Sequence, residues 1–440
     1  MKSILTFLTV LFAGSVASAQ TMGAWKTDSA VTGNAAGKDV FRKLDNPTND
    51  SAAGTNWTLA FQMIPQGGPS SNVAIFANQV RQNVMVYSLH YSAAAKFASL
   101  TAADTVGRTS QPLYNSDATW AMGALNQMSN PGNVFDFSWG KYNMTTHNVV
   151  GDSLYLLKTQ SGDYKLWVQQ YISSPIDSIR YEFRIAKFDG SGDTTVKMYR
   201  KDGFTNALFG YYNAVDRTIQ SREPARNNWE LLFTRYYEQV TQGPTTAMYP
   251  VTGILHNVGV TVAEVIQADA DAAAMNYRNN TFSTDIHTIG SDWKTFNMQT
   301  NTYTIDTAKN YLIRSDVSGK YYQLRFSGFS GSGTGIFRYK FRELGTTLAV
   351  NNIAEPVQAF MLAPNPTSAE TQILLDVKTA ETAHLLVTDA MGRTIQSNTV
   401  KLNAGLNGYQ LSLGAIPAGT YFVTVATGSW TKTAQLLIQH

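Results

Sequence analysis

Trp57-Thr58-Leu59-Ala60-Phe61 returns further along the chain as Trp229-Glu230-Leu231-Leu232-Phe233, each copy preceded by Asn. Three more blocks come back in the same order. Trp139-Gly140-Lys141-Tyr142-Asn143-Met144 returns as Trp293-Lys294-Thr295-Phe296-Asn297-Met298. Tyr155-Leu156-Leu157-Lys158, followed by Gly162 and Tyr164, returns as Tyr311-Leu312-Ile313-Arg314, followed by Gly319 and Tyr321. Arg180-Tyr181-Glu182-Phe183-Arg184 returns as Arg338-Tyr339-Lys340-Phe341-Arg342. Blocks repeated in one order mark an internal duplication. The economical division is into two modules, 39–190 and 191–346.

The blocks are aromatic and β-branched, and charged residues make up only 15% of the 440 residues against 43% hydrophobic, which suits sheet better than helix. The Tyr-Leu-x-Lys/Arg…Gly…Tyr pattern predicts a hairpin in each module. Gly328–Gly335 lies between two strand patterns and reads as a hairpin loop, not a phosphate cradle. Val262–Met275 is Ala-rich and reads as one helix or a long connection.

Outward from the modules the chain changes character. At the N-terminus Lys2, the apolar run Ile4–Ala13 and Ala17-Ser18-Ala19 read as a signal peptide over 1–19, cleaved after Ala19. That run is too short to span a bilayer, and no later segment is long and apolar enough to be a transmembrane segment. The chain has no cysteine, which excludes disulfides, thiolate metal sites and a lipid-bearing cysteine. A formal charge of +3 with no basic run excludes nucleic-acid binding. Residues 347–361 read as a linker. Beyond them, alternating segments at Gln372–Val377, His384–Thr388, Tyr409–Leu413, Tyr421–Val425 and Gln435–Ile438 predict a small β-sandwich over 362–440.

Pro364-Asn365-Pro366, Gly392-Arg393, Pro417, Gly419, Tyr421 and Lys432 stand in this tail in the order seen in the type A C-terminal sorting domain of the Bacteroidota type IX secretion system, which the segment resembles. The resemblance implies export through the periplasm to the outer cell surface or the medium. It also implies handling by the type IX machinery, with removal of the tail and joining to surface lipopolysaccharide. The two modules resemble the HmuY-like haem-binding family, through the Asn-Trp-x-Leu-x-Phe blocks and Tyr311-Leu312-Ile313-Arg314…Tyr339. The fold so implied is all-β: two tandem HmuY-like modules followed by a small C-terminal β-sandwich.

That family holds haem iron between axial side chains, usually His and in some relatives Met. Its ligand His follows a Phe-Ser dipeptide, but here Phe137-Ser138 is followed by Trp139 and the second module has Asp292-Trp293. Candidate haem ligands are therefore His90 and His256, each after an apolar run, and Met144 and Met298, equivalent in the two copies. Against this stand the ordinary readings: a hydrogen-bonded strand histidine, and methionine as core filling. No nucleophile elbow, helical metal pair or phosphate loop stands in its proper context. The expected function is a non-enzymatic surface or secreted binding protein, for haem or a similar flat ligand or a host surface ligand. The alternatives are a structural or adhesive surface protein without a small ligand, and an unrecognised hydrolase.

Overall fold

Period-two alternation in Arg180–Lys187 turns Tyr181, Phe183 and Ile185 inward, between the partly exposed Arg180 and Arg184. The equivalent strand Ile336–Glu343 buries Phe337, Tyr339 and Phe341 in the same way. Such strands dominate a computed structural model that describes residues 22–46, 50–64, 73–345, 357–428 and 430–439. The signal peptide, Ala19 and most of the 347–361 linker lie outside the described residues. The protein is all-β, and among the described residues the α-helices are the short Ala93–Lys96 and Ala270–Ala274. The stretch read as a helix or a connection divides: Val260–Ile266 is a strand, and only Ala270–Ala274 is helical.

Up to Gly345 the strands fall into two sets with the same topology. In the first, Thr194–Tyr199, Arg180–Lys187, Gly162–Ile172, Ser153–Thr159 and Met85–Ser92 are successive antiparallel neighbours. In the second, the order is Lys26–Val31, Ile336–Glu343, Lys320–Phe329, Lys309–Ser315, Val260–Ile266. A further sheet accompanies each: Thr218–Gln220, Phe209–Asn213, Leu59–Gln62, Ile75–Ala77 in one, and Asp50–Ala53, Lys38–Arg42, Leu231–Gln242, Thr245–His256 in the other.

The two sets do not divide at 190/191 as the repeat alone suggests. Thr194–Tyr199, Phe209–Asn213 and Thr218–Gln220 complete the first half. Their counterparts in the second half are Lys26–Val31, Lys38–Arg42 and Asp50–Ala53, from the far N-terminal end of the described chain. Phe61 faces Gly210 across one ladder, and its repeat partner Phe233 faces Val40 across the other. The second half is thus closed by strands that precede the first. Its core mixes Ala30, Val40 and Leu44 with Leu231, Phe233, Trp293 and Tyr339. Trp139 and Trp293 of the repeated blocks are both fully buried in the cores of their own halves.

Val357–Ala363 already belongs to the tail, pairing with Glu370–Val377, so a strand begins inside the stretch read as linker. The tail is two sheets, one of three strands and one of four, around a core that includes Ile373, Leu385, Val423 and Leu436. Thr394–Leu402, which the spacing of turn signals does not reveal, pairs with Glu381–Asp389.

Candidate functional site

A third apolar cluster joins the two halves. Phe41, Leu232 and Leu255 from the second half pack with Phe76, Trp120, Phe209 and Tyr211 from the first, and with Trp229 between them. Trp120 is tied across the seam, its Nε1 donating to His256 O at 2.9 Å. Along this seam runs a crevice of about 110 Å³, walled by Phe41, Trp57, Phe76, Trp120, Tyr211 and Trp229.

One end of the crevice carries buried charge. Asp39, on the N-terminal closing strand, meets Arg81 Nη2 and Arg222 Nη2, each at 2.8 Å, and accepts from Thr234 Oγ1 at 2.5 Å. Arg81 and Arg222 come from the first half and Thr234 from the second, so one carboxylate clamps all three segments. Burial, the largest single influence, pushes the Asp39 carboxyl upward, but Arg81, Arg222 and the Thr234 hydrogen bond together hold it below its ordinary value. The Arg222 guanidinium lies 4.9 Å from the Tyr211 ring centroid and 5.6 Å from that of Trp57.

Glu223, the next residue, is held differently. It accepts from Phe209 N and Tyr211 Oη at 2.8 Å each, and from Leu208 N. Burial raises its carboxyl to about 7, despite those donors and Arg222. Because the folded form keeps its proton to higher pH, this stabilisation is complete below the ordinary value of 4.5 and is lost as pH rises through about 7. The melting temperature is therefore expected to fall between pH 5 and pH 8, and Glu223→Gln to flatten that slope. An unchanged slope in the variant would disprove the assignment.

The sequence-predicted ligands lie elsewhere. His256 is 1% exposed, with Nε2 2.7 Å from Asp285 O and Nδ1 3.2 Å from Asn257 O, so both ring nitrogens face backbone carbonyls. Burial lowers its pKa, which favours the neutral ring donating from Nε2. Met144 and Met298 fill no core: 49% and 82% exposed, they sit at the tips of equivalent hairpins, one in each half. His90, at a left-handed φ of 53° in a bulged strand, lines a separate polar groove with Arg108 and Met128. The four are not brought to one place. No His or Met lines the seam crevice, and among the described residues no His/Asp/Glu cluster could hold a metal. None of the four His and Met candidates stands where it could hold haem iron in the crevice.

The crevice residues gave little warning in the sequence. Asp39, Arg81 and the adjacent pair Arg222-Glu223 stand in unrelated segments, and their one shared signal is charge in a chain poor in it.

The tail residues, by contrast, hold together the turns on which they were read. Asn365 clasps the last strand, donating from Nδ2 to Gln435 O at 2.7 Å and accepting from Leu437 N at 2.9 Å. Asp389 accepts from Arg393 N at 2.9 Å beside Gly392, whose φ of +79° favours glycine. Tyr421 Oη donates to Pro417 O at 2.9 Å, next to Gly419 at the start of that strand. Pro364 O accepts from Thr371 Oγ1, Pro366 follows the Asn365 clasp, and Lys432 lies in the last strand, Thr431–Ile438.

These features define a secreted or cell-surface protein carrying a sorting tail. Residues 361–439 match the family model described as the Secretion system C-terminal sorting domain, so the chain is exported by type IX secretion and interacts with that machinery. No helix of the described residues is long and apolar enough to cross a membrane. A comparison with curated proteins finds no match. Among solved structures, dimeric latent PorU from Porphyromonas gingivalis matches at 10% identity with a TM-score of 0.18. That match covers 88% of this chain and 34% of PorU, so the chain spans about a third of the PorU length, and a likeness at this score carries no argument.

Proposed function

We propose that the exported body, residues 22–345, is a non-enzymatic binding protein whose ligand seat is the aromatic crevice between its halves. The observation that carries this reading is the crevice itself, a seam walled by aromatic rings from both halves. Its carboxylates, Asp39 and Glu223, are engaged by arginine, hydroxyl and backbone donors, which suits a structural role better than acid–base chemistry. The tail brings this body to the surface, where lipopolysaccharide holds it once the tail is removed, as the sorting-domain resemblance implies.

The cavity is on the scale of the ~150 Å³ apolar cavity that accepts benzene. Benzyl alcohol is thus expected to raise the melting temperature saturably, with one site per chain. Enlarging Ala60, which lines the crevice, to Leu should remove the effect. A shift that never saturates, or that survives Ala60→Leu, would sink the reading.

Haem remains a reading from family resemblance alone. Haemin added to the protein is expected to keep the Soret band of free haemin. A sharpened band that His90→Ala abolishes would instead assign an axial ligand in the His90 groove.

A further inference from the structure

The hydrogen-bonding groups of the crevice are unevenly occupied. Several of its acceptors are taken: Asn115 Oδ1 receives Ala77 N and Ala124 N at 3.0 Å, and Gln79 Oε1 receives Asn115 N at 2.8 Å. Asp39 and Glu223 have their donors as described. Several donors have no partner at all. Trp57 Nε1, Trp229 Nε1 and Arg222 Nε are buried without an acceptor, and each belongs to a residue lining the crevice. Arg222 has a side chain only 4% exposed. The Tyr236 hydroxyl is also unpartnered, but it lies toward the backbone of Gly253 and Gly290, not among these three. Indole and guanidinium N–H groups donate and never accept, and each such group left buried and unpaired is destabilising.

Charge points the same way. Arg81, Arg222 and Arg235 line the crevice against Asp39 and Glu223, and Glu223 holds a proton into the neutral range. Three guanidinium groups thus face one full negative charge and one partial one. A neutral apolar ligand would leave both the charge and the spare donors uncompensated. A ligand donating hydrogen bonds would find no free acceptor among the groups named.

We infer that the crevice takes a small aromatic ligand bearing a carboxylate, its ring among the aromatic walls and its oxygens accepting from the unpaired indole and guanidinium donors. This rests on the crevice being the ligand seat, and it names the class of ligand. Guanidinium groups suit carboxylates, and burial strengthens the hydrogen bonds they make.

Benzoate and benzyl alcohol, titrated separately into the full chain by calorimetry, test the two readings apart. Benzoate should bind at least ten-fold more tightly than the alcohol, one per chain. Trp57→Phe and Trp229→Phe keep an aromatic ring and remove the N–H together with the rest of the five-membered ring. The double variant should lose at least five-fold in benzoate affinity and keep its affinity for the alcohol. If neither compound binds, the seat itself is refuted. If the alcohol binds as well as benzoate, or if the double variant binds benzoate unchanged, the seat stands and the carboxylate class is overturned.

Discussion

A chain lacking residues 22–46 is expected to lose the whole second half of the body, although it keeps every residue of the second repeat. Lys26–Val31 pairs along its full length with Ile336–Phe341, and Val40–Arg42 pairs with Leu231–Phe233. Removing them opens two sheet edges and uncovers Phe233, Tyr339 and Phe341 in the second core. It also removes Val40, Phe41 and Leu44, all buried. At roughly 1.5–3 kcal/mol per large side chain, that loss alone approaches the 5–15 kcal/mol that ordinarily separates folded from unfolded domains. Circular dichroism should show much of the sheet signal lost, with proteolysis concentrated in 231–343. A deletion variant melting within a few degrees of the parent would overturn the closure. Rescue by permutation gives a positive test. Met22 bridges Leu344, and Gly23 N donates to Glu343 O at 2.8 Å, so a short loop can join 344 to 22 while the chain opens between Gly54 and Trp57. That permutant is expected to fold, because it makes the second half continuous in the way the first half already is.

Asp39→Ala is expected to be the most damaging single substitution at the seam. It leaves Arg81 and Arg222, with side chains 6% and 4% exposed, as uncompensated buried cations. Breaking a buried pair by removing one partner costs about 3–5 kcal/mol. Here it also loosens the tie between the N-terminal strand and the first half, which is left with contacts such as that of Arg81 Nε to Ala36 O at 2.6 Å. A melting temperature lowered by on the order of 10 °C in scanning calorimetry would agree with that cost. A change of only a degree or two would mean that the clamp contributes little. The pH dependence has a definite sign. The Asp39 carboxyl is held below its ordinary value, so its contribution is present above about pH 4 and is lost as pH falls through the folded value. Glu223 works in the opposite direction, losing its contribution above about pH 7. Together these two groups favour maximal stability in mildly acidic solution.

How much of this was legible beforehand differs by element. The repeated blocks were visible because each carries large aromatic residues at matching positions in its two copies, and in the structure Trp139 and Trp293, or Tyr181 and Tyr339, occupy equivalent core positions. The closing strands were not visible. Lys26–Val31 and Thr194–Tyr199 hold the same place in their sheets, yet KTDSAV and TTVKMY share no pattern. Such a strand is held mainly by its backbone ladder, which tolerates almost any side chain. The histidine and methionine candidates were singled out by residue type alone. The structure places two backbone carbonyls against the His256 ring and puts both methionines on hairpin tips, and neither outcome is a property of local sequence.

By itself the sequence determined the strand character of the chain, its duplication and its sorting tail, because these depend on side-chain alternation and turn residues within about ten positions of one another. Only the tertiary structure decided which strands complete which half, and hence that Asp39 meets Arg81, Arg222 and Thr234 at one seam. Those partners stand far apart in the chain and are joined by backbone pairing that carries almost no side-chain signature, so the crevice exists only once the N-terminal strands have closed the second half.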